Sequence, residues 1–168
     1  MVETARISLR CGPGPVAALG EAFGFALPDA MLTATAGMAR AALRLGPDEW
    51  LLLAEDAPAR VLIAALEAAR AGAAASIVDV SDRQVALDIE GPEALDLLAE
   101  GCPLDLAAMP EGGCTRTLFG KAEVILWRRA EDWFRLEVAR SFAPYVRALL
   151  AEAAVDQGRD GGEDGDQE

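Results

Sequence analysis

The side chains in this chain that could do chemistry are carboxylates and arginines in the second half, three cysteines and one loop rich in glycine and proline. There is no histidine. That excludes Ser-His-Asp and Cys-His nucleophile systems, imidazole metal sites and imidazole proton transfer at neutral pH. Asp79, Asp82 and Asp88 lie close together in sequence, and a pair of carboxylates can act as general acid and base. Alternation along QVALDIE places Asp88 on the polar side of a strand, and Asp82 falls in a turn, so solvated or salt-bridged carboxylates are expected. Cys102 and Cys114 each follow a glycine at an element boundary. A nucleophilic thiol needs a neighbour that lowers its pKa, no imidazole can serve, and both are read as structural. Cys11 opens CGPGPVA, a loose match to the G-x-G-x-x-A turn that holds a dinucleotide. Pro13 and Pro15 delete N–H donors that would cradle a pyrophosphate, so the plainer reading is a turn and a helix start.

Arg83, Arg116, Arg128, Arg129, Arg135 and Arg140 give the second half most of its positive charge. Arginine forks pair with carboxylates, either the chain's own or a partner's. Trp50, Trp127 and Trp133 carry most of the large aromatic surface. Trp50 and Trp133 stand beside acidic turns and read as interface anchors, whereas core packing suits Trp127 equally. The set expected to meet a partner subunit is Trp50, Arg83, Arg116, Trp127, Arg128, Trp133 and Arg140. No catalytic, cofactor-binding or metal-binding residue is expected.

With 168 residues, 52% of them apolar, the chain can form one compact domain or two small fused halves without disulfides or metal. The cysteines are odd in number and lack metal-ligand spacing, MVETARISLR has no apolar core of a signal peptide, and no apolar run approaches the ~18 residues of a membrane span. A cytoplasmic protein with reduced thiols, off the membrane, is expected. Net charge is -13, of which the tail from Asp156 to Glu168 holds six acids against Arg159. An acidic chain without a basic stripe repels phosphate backbones, which argues against nucleic acid. The tail has nothing apolar to bury and is expected to be disordered.

Residues 4–10 read as a strand, followed by a helix with Pro15 in its first turn and Val16, Leu19 and Phe23 at helical spacing. Residues 25–39 read as irregular, and AALRLGPDEWLLLA as a hairpin turning at GPDE. Asp56 is expected to cap a helix packed through Val61, Ala65 and Ala68 with Leu62, Leu66 and Ala69 beside them. A central strand pair, 76–80 with 84–90, comes next, then a short helix from Pro92 with Leu95 and Leu98 on one face. Strands 114–118, 121–128 and 133–139 follow, the second apolar on both faces, and a last helix capped by Ser141 carries Phe142, Val146, Leu149, Leu150 and Ala153. PDEWLLLAED-APARVLIAALEAA and AEDWFRLEVARSFAPYVRALLAEAA share an order of acidic turn, tryptophan, strand and Ala-rich helix, a weak internal repeat. The architecture predicted is α+β, two ferredoxin-like β-α-β-β-α units with joined antiparallel sheets. Their bounds are 1–75 and 76–155, with 156–168 as tail, and residues 77–80 close the first sheet.

The stretches VDVSDRQVAL, GCPLDL, CTRTLFGKAEV and RSFAPY resemble the gamma subunits of heterotetrameric sarcosine oxidase, strongly over the second half of the chain. More distantly the same block is similar to the folate-binding fold of the aminomethyltransferases. Where those proteins carry a threonine-asparagine turn, this chain reads Gly101-Cys102-Pro103-Leu104. The resemblance implies a non-catalytic gamma subunit serving assembly and packing. Its complex would demethylate sarcosine to glycine, pass the one-carbon unit to tetrahydrofolate and form hydrogen peroxide. The alpha, beta and delta subunits would be the partners, and FAD, FMN, NAD, tetrahydrofolate and zinc would reside in them. The alternatives are a gamma subunit of N-methylglutamate dehydrogenase and a free-standing folate-binding one-carbon protein.

Overall fold

The computed structural model describes residues 4–160, with side chains described through residue 155. In chain order the elements are β1 (Ala5–Cys11), α1 (Val16–Phe23), β2 (Ala34–Ala36), β3 (Arg40–Gly46), β4 (Glu49–Ala54), α2 (Ala59–Ala69) and β5 (Ala75–Asp79). Then come β6 (Gln84–Glu90), α3 (Ala94–Ala99), β7 (Cys114–Phe119), β8 (Ala122–Ala130), β9 (Trp133–Ala139) and α4 (Ala143–Asp160). They form two compact units: residues 4–83 together with Gly112–Thr115, and Gln84–Glu111 together with residues 116–160.

The first unit's sheet runs β2-β3-β4-β1-β5. Strand β1 lies between β4 and β5 and is antiparallel to both, which with α1 and α2 is the ferredoxin-like order plus one short edge strand. Ile7, Leu9, Trp50 and Leu52 point from its middle strands onto Leu19 and Phe23 of α1 and Leu62 and Leu66 of α2. The second unit's sheet runs β6-β9-β8-β7, and β9 is antiparallel to both β6 and β8. Val124, Leu126, Phe134, Leu136 and Val138 form its core with Leu98 of α3 and Val146 of α4. The α+β class with two antiparallel sheets is as the pattern predicted.

Several local expectations change. The strands around residues 77 and 87 do not pair with each other: β5 binds β1, as the closing strand was expected to do, while β6 binds β9 at the edge of the other sheet. Residues 25–39 are not wholly irregular, because Ala34–Ala36 pair with β3. Asp56 does not cap α2, whose N-cap is Pro58 with no side-chain bond; its carboxylate takes Arg40 Nε at 2.9 and 3.0 Å instead. The buried side of α2 is Ala59, Leu62 and Leu66, with Val61 52% exposed; Phe142, in the turn just before α4, points outward at 47%, while Ala143, Val146 and Ala153 of α4 face in. Ala-rich helices present small apolar residues all round, so periodicity alone does not select the face. Helix α4 runs to Asp160, and residues 161–168 of the acidic tail lie outside the described residues.

The repeat is real but displaced by one residue. Each hairpin has a two-residue turn with a register shift just before it: Arg44 opposes Trp50 and Gly46 opposes Glu49, while Arg128 opposes Phe134 and Ala130 opposes Trp133. Trp50 therefore corresponds to Phe134 rather than to Trp133. Side chains alternate with a period of two, so that single step moves a residue to the other face of the sheet. Trp50 is 2% exposed inside the first core, whereas Trp133 sits on the opposite side of its sheet, half-buried.

Candidate functional site

Arg44 and Arg128 occupy equivalent positions in the two units and do the same thing. Arg44 Nε donates to Gly46 O at 3.3 Å and Nη2 to Pro47 O at 2.8 Å, while Nη1 donates to Asp29 O. Arg128 Nε donates to Ala130 O at 3.4 Å and Nη2 to Glu131 O at 2.9 Å, while Nη1 reaches Met109 O at 2.6 Å and Leu106 O at 3.3 Å. The guanidinium of the first lies 4.9 Å from the centre of the Trp50 ring and that of the second 5.3 Å from Phe134. Each arginine is turned inward by its strand's phase, Arg128 buried and Arg44 half-buried, kinks over the bulge, and pins the loop that precedes its edge strand. Arg128, expected at the surface, is 8% exposed and bonded to carbonyls of its own unit.

Three aromatic and charged side chains of the second unit do come together. Arg129, one residue along and so on the other face, stacks its guanidinium 3.7 Å from the centre of Trp133 and 4.9 Å from that of Trp127. Trp133 Nε1 donates to Asp88 Oδ1 at 3.2 Å, and Arg129 approaches the same oxygen at 3.8 Å. Asp88 is thus salt-bridged as expected. Trp127 is 5% exposed. Farther along that face Arg135 Nε donates to Glu137 Oε1 at 2.8 Å, both side chains almost wholly buried. The alternation of Trp133, Arg135 and Glu137 puts them on one face, and the apolar Ile125 and Trp127 opposite Glu137 and Arg135 were the signal in the sequence that this face is covered. Arg83, Arg116 and Arg140, the remaining members of the expected contact set, are exposed.

The first unit holds a cavity of about 1070 Å³ where β1 ends, lined by Cys11, Val16, Phe25, Leu27 and Trp50. Glu21, Asp29 and Asp48 also line it, with Arg44 as their one cationic counterpart. The walls are apolar and the carboxylates would repel a pyrophosphate, so CGPGPVA is a turn and helix start, with Val16 N donating to Pro13 O at 3.4 Å.

The stretches behind the family resemblance are used for packing. A Cβ on Gly101 would stand 2.8 Å from the Phe119 ring, Gly120 N donates to Gly101 O at 2.8 Å, and Cys102 Sγ lies 3.9 Å from Thr117 Oγ1, so GCPL and CTRTLFG lock together. In VDVSDR, Asp79 Oδ1 accepts from Ser81 N and Oγ at 2.9 and 2.6 Å, and Arg6 N donates to Ser81 Oγ at 3.0 Å. The three cysteines are buried and free. Burial pushes the Cys114 thiol up to about 12 and raises Cys11 as well, and the Arg40 hydrogen bond holds the Asp56 carboxyl below its ordinary range. These shifts all move away from neutrality, the reverse of what a nucleophile or acid-base pair requires. Among the described residues no cluster of three or more Cys, Asp or Glu is placed to hold a metal ion, and no helix is long and apolar enough to cross a membrane.

Comparison with known proteins places this fold. Residues 10–156 match the model of the family described as sarcosine oxidase, gamma subunit family. The sarcosine oxidase subunit gamma of Corynebacterium sp. strain U-96 is 35% identical over 156 residues, covering 89% of this chain and 75% of that one. A chain in the structure of heterotetrameric sarcosine oxidase from Corynebacterium sp. U-96, in complex with pyrrole 2-carboxylate, superposes with a TM-score of 0.85 at 32% identity, covering 93% of this chain and 82% of that one. The glycine cleavage system aminomethyltransferase T of Bartonella henselae matches with a TM-score of 0.68 at 20% identity over 89% of this chain and 43% of that one, a likeness of fold alone. The chain belongs to the sarcosine oxidase gamma subunit family.

Proposed function

We propose that this chain is the gamma subunit of a heterotetrameric sarcosine oxidase and acts in that complex through assembly and packing, with no active site of its own. The single observation that carries the reading is likeness to a chain of a solved heterotetramer along 93% of the length. The chemistry of the side chains agrees. The Cys11 and Cys114 thiols are buried with raised pKa, Asp88 is tied to Trp133 and Arg129, and the inward arginines are committed to carbonyls.

The partners on this reading are the alpha, beta and delta subunits. FAD, FMN, NAD, tetrahydrofolate and zinc belong to them, and the complex oxidatively demethylates sarcosine to glycine, hands the one-carbon unit to tetrahydrofolate and forms hydrogen peroxide. Docking uses exposed or half-exposed members of the second half, Trp133, Arg83, Arg116 and Arg140, whereas Trp50 and Arg128 serve the interiors of their own units.

A tagged copy expressed in its source cell tests this. Co-purification of large subunits with a flavin absorbance band and sarcosine-dependent peroxide formation is expected. A chain that elutes alone, or that binds flavin or oxidises sarcosine without partners, would refute it.

A further inference from the structure

The correspondence between the units extends beyond the hairpins. Leu9, Ile7 and Ala5 of β1 oppose Trp50, Leu52 and Ala54, just as Ile89, Leu87 and Val85 of β6 oppose Phe134, Leu136 and Val138. Strand β6 is therefore the second unit's β1. In the first unit the other edge of β1 is occupied by β5, whose Ile77 faces Leu9 and packs on the core. Among the described residues the second sheet has no strand in that place, and β6 ends it.

The side chains register the difference. Ala5, Ile7 and Leu9 are 3%, 0% and 0% exposed, whereas Val85 and Leu87 are only half-buried and Ile89 retains 8%. Exposed edges are usually blunted by proline, lysine or a bulge. Strand β6, QVALDIE, has neither residue, and its seven residues pair with β9 in unbroken register.

We propose that an extended segment of another subunit adds to β6 as an antiparallel strand, completing the second sheet by β-augmentation. The inference rests on the subunit reading above. The incoming strand takes the direction of β5 and an apolar side chain opposite Ile89, as Ile77 stands opposite Leu9; it differs from β5, which sets Asp79 opposite Ile7, in carrying an apolar side chain opposite the half-buried Leu87 as well, with lysine or arginine at the alternate positions opposite Asp88 and Glu90. Residues 161–168, GGEDGDQE, lack apolar side chains and would set acids beside those two. A second copy of β6, paired antiparallel over its full length, would set Ala86 and Gln84 opposite Asp88 and Glu90 and leave both acids unanswered, which favours a partner with basic residues in strand alternation.

Hydrogen exchange on the isolated chain and on the complex captured from the source cell tests this. In the isolated chain, the amides of Gln84–Glu90 that face away from β9 are expected to exchange about 100-fold faster than those of β9, and to slow at least about tenfold in the complex. Glu90→Lys is expected to leave the isolated chain's melting temperature unchanged while weakening capture about fivefold or more, through like-charge contact with the incoming strand. Equal protection of β6 and β9 in the isolated chain overturns the proposal, because the edge is then already covered by this chain or a copy. Capture of partners with β6 still exchanging fast, or with Glu90→Lys captured like the parent, overturns it and leaves the subunit reading standing. Capture of nothing overturns both.

Discussion

Replacing Arg128 by methionine keeps an unbranched stem of similar reach over Phe134 and removes every guanidinium donor, so it isolates what those donors contribute. Two of the bonds are short, Met109 O at 2.6 Å and Glu131 O at 2.9 Å, and the contacts to Ala130 O and Leu106 O are long at 3.4 and 3.3 Å. Bonds from a charged donor are worth about 1.5–3 kcal/mol each, and a buried carbonyl left without a donor costs about 1–3 kcal/mol. The cation was itself desolvated to reach this position, which offsets part of that loss. The expected net cost is about 3–5 kcal/mol. In a chain of this length that lowers the melting temperature by very roughly 6–20 °C.

The measurement is urea unfolding followed by tryptophan fluorescence, with hydrogen exchange over residues 105–111 as the local reading. Arg128→Lys is the control, since one ammonium retains the charge but cannot span carbonyls on both the turn and the preceding loop. Its cost is expected to fall between parent and Arg128→Met, with the loop still exchanging faster. Arg44→Met tests the same device in the first unit, and the double variant is expected to be additive within about 0.5 kcal/mol because the two sites share no partner. A loss below about 1 kcal/mol for Arg128→Met, or a lysine variant equal to the parent, would refute the claim that this arginine pins the loop.

Gly120 has φ 58°, and a Cβ there would meet the Tyr145 hydroxyl and stand 2.8 Å from Leu149 Cδ2; Gly120→Ala is expected to cost about 2–4 kcal/mol in urea unfolding, and less in a Tyr145→Phe background. Cys114, whose ordinary pKa of 9.0 is raised to about 12, gives stability that is complete below pH 9.0 and lost as pH climbs toward 12, because the unfolded thiol ionises first. Stability is therefore expected to fall by up to about 4 kcal/mol across that window, and Cys114→Ala to flatten the slope. Glu137→Leu alone, which takes the carboxylate away from a buried Arg135, is expected to cost about 3–5 kcal/mol, and Arg135→Met with Glu137→Leu far less; equal costs would show that the pair is not the reason both are buried.

The α+β class and the order of strands and helices were legible because QVALDIE, the hairpin arms and both α/β junctions carry their own periodicity. Pairing partners were not. The strands at 75–79 and 84–90 are neighbours in sequence with a short connection, the usual signature of a hairpin, yet Asp79, Ser81 and Arg6 form a junction that turns the chain from one sheet to the other. That junction is written in side-chain bonds across 75 residues, which no local pattern reports. Helix faces failed for a related reason. In α2 and α4 alanine lies on both sides, so the choice between Val61 and Leu62 is made by the sheet below and not by the helix.

The arginines show the same division more sharply. Arg128 and Arg129 are adjacent and chemically identical, and the strand's period of two sends them to opposite faces, one to a ring of carbonyls and the other to a stack on two tryptophans. Composition could count them but not separate their roles. Phase could have done so, since Val124 and Leu126 share a side with Arg128 while Ile125 and Trp127 share a side with Arg129. The bulge hides this in the sequence, because it offsets Trp133 by one residue from the counterpart of Trp50 and so inverts the phase of one tryptophan relative to the other. With Phe134 as the counterpart of Trp50, the second unit's β6 falls on β1 residue for residue, and the place held by β5 becomes the one position in the repeat without an occupant among the described residues. A subunit that works by contact needs a surface that is unfinished in isolation, and that edge, with Leu87 half-exposed along it, is where the repeat leaves one.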